Sequence, residues 1–209
     1  MREARAAIGF RAKTGRAIAV ALAGPVDAPT FLWRLDVSLV DPDVSETAQP
    51  YHEVMEMPWS QGIVAVKPLA AAIEAIASKV LTAVLRELAS KGLLVRDVGI
   101  VGSLDRSLES LGNPHIRAHA ADGILFRRVL ETAATKHELS SRSYSERTVT
   151  ESALSDLGLS RAQLTSGLKK LGVQAGPPWR AEEKAAATAA WIALGTRTSR
   201  MARKNRLRT

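Results

Sequence analysis

The chain has no cysteine. Disulfides and thiolate metal sites are therefore excluded, and the composition suits a reducing, cytoplasmic setting. Apolar stretches fall well short of the ~20 residues of a membrane span. No long apolar run follows Arg2, Glu3 and Arg5, as a signal peptide would require. Neither a membrane partner nor export is expected. A glycine-rich phosphate loop is also missing: Gly15 stands alone, and Lys13-Thr14 lacks the glycines that would precede it. There is no Gly-x-Ser-x-Gly elbow, no HExxH motif and no internal repeat. Acyl transfer by a serine nucleophile and protease-type zinc chemistry thus have no support.

What remains is an ordinary soluble composition in 209 residues, enough for one well-packed domain and short for two. The formal net charge is +8. Most of it comes from Arg197, Arg200, Arg203, Lys204, Arg206 and Arg208, which no acid interrupts, so the rest of the chain is nearly neutral. We therefore divide the chain into a single domain, 1–195, and a flexible basic tail, 196–209. Such a tail is drawn to polyanions in a salt-dependent way, or is simply a solvated terminus.

Ala6–Phe10 and Arg16–Ala23 read as neighbouring strands with Gly15 at the turn, and Gly24-Pro25 ends the second. In a third strand, Phe31–Val40, Phe31, Trp33, Leu35, Val37 and Leu39 alternate with mostly polar residues, giving one apolar face. The three form an antiparallel meander. Residues 41–67, rich in proline, read as a long irregular connection. Pro68 opens a helix whose stripe is Leu69, Ile73, Ile76, Val80, Val84 and Leu88, closed by Lys91-Gly92. Val98–Val101 is a short buried strand. Asn113-Pro114 starts a helix running to about Lys136, and a fifth strand spans Leu139–Tyr144. Ser160 and Gln163 make a capping-box pattern before Leu164, Leu168 and Leu171. An alanine-rich helix covers about Arg180–Leu194.

The order strand, strand, strand, helix, strand, helix, strand, helix resembles the ribonuclease H-like fold, an α/β architecture with a mixed five-stranded sheet flanked by helices. GFRAKTGRAIAVAL is similar to the opening hairpin of the RuvC-type Holliday-junction resolvase branch. LGNPHIRAHAADGILFRRVLETAATKHELSSRSYS resembles that branch's helix-then-strand unit, which ends in Tyr-Ser-Pro; here Tyr144-Ser145-Glu146 carries glutamate in place of proline. LSRAQLTSGLKKLG and AEEKAAATAAWIAL resemble its following basic helix and its final helix.

The resemblance implies a two-metal site. Two divalent ions need clustered carboxylates, because hard oxygen ligands suit Mg²⁺. The family supplies acids from the first strand, from just after the fourth strand and from the last helix. Here Arg11 stands at the first position, Val101, Gly102 or Ser103 at the second, and Thr188 near the third, with Glu182 and Glu183 a turn or two earlier. A cation at Arg11 repels a metal and attracts an anion. Acids that could rebuild a site are Glu183 with Asp105 or Glu109, the latter two sharing a helical face; Mg²⁺ or Mn²⁺ would be the cofactor in that reading alone. His115, His119 and Asp122 stand at i, i+4 and i+7, a spacing able to hold a transition metal or simply to form a polar helix face. Trp33 and Trp191 read as core, whereas Trp59 and Trp179, beside prolines, could stack on a partner.

Three functions are compatible with these residues. The first is a catalytically degenerate resolvase-like domain that binds DNA or RNA without cutting it, with Arg11, Lys169, Lys170, Arg200, Arg203, Lys204 and Arg206 contacting phosphates. The second is a protein-interaction module using 41–67 as its contact surface, with a protein partner or a second copy in a homodimer. The third is a divergent metal-dependent nuclease.

Overall fold

Two apolar runs broken only by Thr14-Gly15 fold back on each other. β1 is Ala4–Lys13 and β2 is Arg16–Ala23, and Gly15 takes φ +75° at the turn between them. They pair antiparallel from Lys13↔Arg16 to Ala6↔Ala23. β3, Thr30–Ser38, continues the expected meander against β2. The computed structural model describes residues 4–206, with side chains up to Thr196.

The connection 41–67 is more ordered than its prolines suggested. It carries a 3-10 turn at Ser45–Ala48 and two short helices, α1 (Pro50–Glu53) and α2 (Trp59–Ala65). Two of the prolines start helices: Pro50 opens α1 and Pro58 precedes α2. Fully buried Thr47 pins the strap, accepting from the Asp41 N–H at 2.8 Å and donating to the Val44 carbonyl at 2.6 Å.

α3 is Lys67–Ser90, with Pro68 in its first turn as expected. β4, Leu93–Val101, lies parallel to β1. α4, Pro114–Lys136, begins at Asn113, whose side chain accepts from the Ile116 N–H at 3.0 Å, a cap worth about 1 kcal/mol. β5, Ser140–Tyr144, lies parallel to β4. The expected mixed five-stranded sheet results, in the order β3-β2-β1-β4-β5. α5, Val149–Leu157, was not anticipated: its sequence is rich in β-branched and hydroxyl residues, and no side chain caps its start. α6, Arg161–Ala175, carries the complete Ser160/Gln163 capping box. α7 is Ala181–Arg206, longer than the alanine-rich stretch, so its backbone continues into the basic segment.

α3 and α4 cover one sheet face through Ile8, Phe10, Val98 and Ile100. α5, α6 and α7 cover the other through Ile18, Val20, Leu22 and Val101. Small residues set the second interface. A Cβ on Gly9 would collide with the Ala186 carbonyl, and one on Gly99 would stand 2.8 Å from the Ala189 Cβ. α7 thus lies directly on β1 and β4, antiparallel to β1: Glu182 sits at the β1–β2 turn, and the Ala193 carbonyl accepts from Arg5 at the start of β1.

Two expectations are corrected here. The face of β3 is not continuous, because a bulge at Leu32 of β3, between Trp33 opposite Ala21 and Phe31 opposite Leu22, places Phe31 in the α7-side core while Leu32 and Trp33 pack on the α3/α4 side. Leu35, on this edge strand, is 43% exposed. In addition, α3 is long and apolar enough to cross a membrane by length and composition, contrary to the reading of its sequence. Its Ile73, Ala77, Leu81, Val84 and Leu88 stripe is buried in the core beneath the sheet.

Candidate functional site

Parallel strands β1 and β4 end side by side, and ligands of open α/β sheets bind beyond such carboxyl ends. An open cleft of about 610 Å³ lies there. Arg11, Lys13 and Arg16 of the first hairpin line one wall. Ser103 and Arg106, after β4, and His119 of α4 line the other.

Arg11 lies in β1 between Ile18 of β2 and Val101 of β4, with 9% of its surface exposed. One guanidinium nitrogen, Nη1, donates to the Ala12 carbonyl, and the other, Nη2, donates to the Glu146 carboxylate. Its buried Nε has no partner. Lys13 and Arg16 grip Glu182 at 2.8 and 2.7 Å, and Arg16 also reaches Asp36 at 3.5 Å. The hydrogen bond from Lys13, more than that from Arg16, holds Glu182 below the usual carboxylate range.

Of the acids that could rebuild a metal site, Glu183 and Asp105 are held by other partners. Glu183 is buried and accepts from the Arg180 N–H at 2.7 Å, closing the first turn of α7. Thr188 donates to the Lys184 carbonyl within its own helix. Asp105 and Glu109 do not share a helical face, because residues 103–112 form no helix. A stretch this short needs a packed face to stay helical, and Leu104 is 41% exposed. Asp105 is bound by Arg127 and by Arg128 at 3.2 Å, and the Arg128 hydrogen bond leads in lowering its pKa. Glu109 is solvent-exposed.

Arg127 is the residue the sequence did not reveal. It is buried, and it donates to the Ser103 carbonyl, Glu131 and Asp105. Its stem packs over Gly102, where a Cβ would meet the Arg127 Cβ at 3.1 Å.

Among the described residues, no three His, Asp or Glu side chains converge as metal ligands. A pair of divalent ions requires several free carboxylates, whereas this cleft offers guanidinium and ammonium groups with their carboxylates already bound. The residues present do not fit the metal pair.

Nor do His115, His119 and Asp122 face a common ligand. Asp122 is fully buried, accepting from the Tyr51 N–H at 2.9 Å and bonded to His52 Nδ1 at 2.6 Å. Burial raises its pKa, opposed by those two partners. It anchors the strap to α4. The His115 and His119 rings stand 5.0 and 6.1 Å from that of His52. Only the fold could bring His52 there.

The remaining basic candidates lie apart. Lys169 and Lys170 are exposed on α6, and Lys170 lines a second cavity of about 540 Å³ beside Asp27–Thr30, at the opposite end of β2 from Gly15. α7 runs away from the cleft towards that same end. The side chains of Arg200, Arg203, Lys204 and Arg206 lie outside the described residues, as does residue 208. Trp59 stacks near Tyr51 at 5.6 Å with Arg117 over its ring, and Trp179 donates to the Leu168 carbonyl. Neither tryptophan lines the cleft.

The sheet order, the hairpin start and the long helix crossing β1 define a ribonuclease H-like fold. Neither a family model nor a curated protein matches the sequence. Among solved structures the chain is similar to the Thermus thermophilus RuvC structure, at 14% identity and a TM-score of 0.50, over 93% of this chain and 96% of that one. It is likewise similar to T. thermophilus RuvC in complex with a Holliday junction substrate, at 12% identity, a TM-score of 0.50 and the same coverage. The likeness is one of fold: this chain has the RuvC-type architecture that its motifs suggested.

Proposed function

We propose that this chain is a catalytically degenerate resolvase-fold domain that holds nucleic-acid phosphates in the cleft and does not cut them. The observation that carries this reading is Arg11, a nearly buried cation in β1 at the cleft where the fold family's first metal ligand is expected. Lys13, Arg16 and Arg106 add positive charge around it. Among the described residues the cleft has no tryptophan, tyrosine or phenylalanine on which bases could stack, which favours backbone contact over base reading. The complex of the similar resolvase with a Holliday junction makes branched DNA the first ligand to try. Lys169, Lys170 and the basic segment, at the other end of the domain, would add salt-sensitive attraction to a long polyanion.

The test is binding of a four-way junction, a duplex and a single strand at about 50 and 200 mM salt, with Mg²⁺ or Mn²⁺ and a cleavage readout. Binding that weakens with salt, that falls in Arg11→Gln, and that occurs without cleavage is the expected result. Metal-dependent cutting by pure protein would instead establish the divergent nuclease. The protein-interaction reading is favoured by one observation, the apolar exposure of Met57 (47%), Ile63 (38%) and Val64 (59%) on the strap. A stable self-assembled or captured complex, with no affinity for any nucleic acid, would support it.

A further inference from the structure

Arg11 and Glu146 are separate departures from the resolvase pattern, one replacing an acid and the other a proline, and the fold joins them in one ion pair. The two ends of this pair are unlike. The Arg11 side chain is 11% exposed and fixed within β1, whereas that of Glu146 is 65% exposed, on the turn after β5. A carboxylate on Arg11 presents the same oxygen acceptors and negative charge as a phosphodiester. The buried guanidinium also keeps unmet donor capacity at Nε. We propose that Glu146 is a displaceable counter-ion: it occupies the phosphate position on Arg11 in the free protein and swings into solvent when a nucleic-acid phosphate takes its place. The inference rests on the phosphate-binding reading and adds its regulation, since every binding event must first break the internal pair.

The charge logic gives the expected signs. Removing the Glu146 charge removes a competitor, so affinity rises. Arg11 neutralises the same phosphate in both proteins, so the slope of log K against log salt is unchanged by that removal, whereas loss of Arg11 itself flattens it by about 0.9. Glu182 competes in the same way for Lys13 and Arg16, but from a less exposed position with two partners, and is the poorer leaving group.

The experiment measures four-way-junction affinity across a salt series for the full-length wild type, Glu146→Gln, Arg11→Gln and the double variant. Glu146→Gln should bind about fivefold more tightly with the wild-type slope, and the double variant should lose that gain and show the flatter slope of Arg11→Gln. If the wild type binds and Glu146→Gln binds equally, the counter-ion role is overturned while phosphate binding stands. If wild type and Glu146→Gln both fail to bind at low salt, the phosphate reading itself falls. Should Glu146→Gln not fold, Glu146→Ala decides: tighter binding than wild type supports the counter-ion, and unchanged affinity overturns it.

Discussion

The side chain of Arg127 lies over Gly102, leaving 3.1 Å between its Cβ and the position a Cβ on Gly102 would take. A helix residue on α4 thus fills the space beside Gly102, one of the three positions, 101 to 103, at which the resemblance leads one to expect an acid. Arg127 is held there by Ser103, Asp105 and Glu131, and Glu131 in turn accepts from Ser143.

This relationship predicts that one added acid will not make a metal site. Arg11→Asp puts an acid in β1, yet Arg127 still fills the space beside Gly102 and Glu146 now faces a like charge. We expect no Mn²⁺-dependent cleavage, no rise in Tm at millimolar Mn²⁺, and a lower Tm than wild type. A metal-induced rise in Tm would show that other ligands complete the site.

The contact of α7 with the sheet predicts a severe packing defect. Gly9→Ala drives a methyl into the Ala186 carbonyl, a backbone atom that cannot rotate away. Overpacking typically costs about 1–3 kcal/mol and more where the backbone must move, so a loss of at least about 3 kcal/mol is expected in urea unfolding. Gly92→Ala is the contrast. Nothing lies within 4 Å of its Cβ, and its φ of +71° limits the penalty to local backbone strain of about 1–2 kcal/mol.

The strap is tied to α4 by Asp122. Asp122→Ala leaves the Tyr51 N–H and His52 without their acceptor, costing about 1–3 kcal/mol for each group that stays buried. Limited proteolysis should then cut within 41–67 faster than in wild type while the sheet remains protected. Equal rates would place the hold elsewhere, for instance at Thr47.

Two pH dependences follow from the ionisable groups. The Glu182 pKa is lowered in the folded protein, so its stabilising contribution is complete above the ordinary value of 4.5 and is lost as pH falls through the folded value. Glu182→Gln should therefore show a shallower drop of Tm between about pH 6 and pH 3. The size of the difference is modest, because the pair is partly solvated. Burial pushes the Tyr144 phenol up to about 12, so its contribution is present below 10.0 and fades as pH rises towards that value. Tyr51, the other tyrosine, is also raised by burial. Phenolate absorbance at about pH 10.5 should therefore be lower in the folded protein than in the unfolded chain, and rise as the protein unfolds at higher pH.

Much of the scaffold could be read from local patterns. The β1–β2 hairpin needed only two apolar runs and Gly15, α4 needed Asn113-Pro114, and α6 needed Ser160 with Gln163. In each case the signal lies within a few residues, where capping and turn geometry act. α5 escaped because nothing in 149–157 caps its start, and its apolar residues make sense only against α7. The bulge that divides Phe31 from Trp33 escaped because alternation in sequence does not mark which residue of a strand, here Leu32, will be left without a partner when the strands pair.

The site divides along the same line. The sequence by itself determined that an arginine stands at 11 and a glutamate at 146, where the resolvase resemblance leads one to expect an acid and a proline, because those are identities at positions in a pattern. Only the tertiary structure decided that the two touch, that Arg127 closes the space over Gly102, and that Asp122 binds His52 of a distant strap. Ion pairs and packing depend on distance in space, and residues 70 to 135 positions apart acquire that distance only when the sheet and its helices assemble.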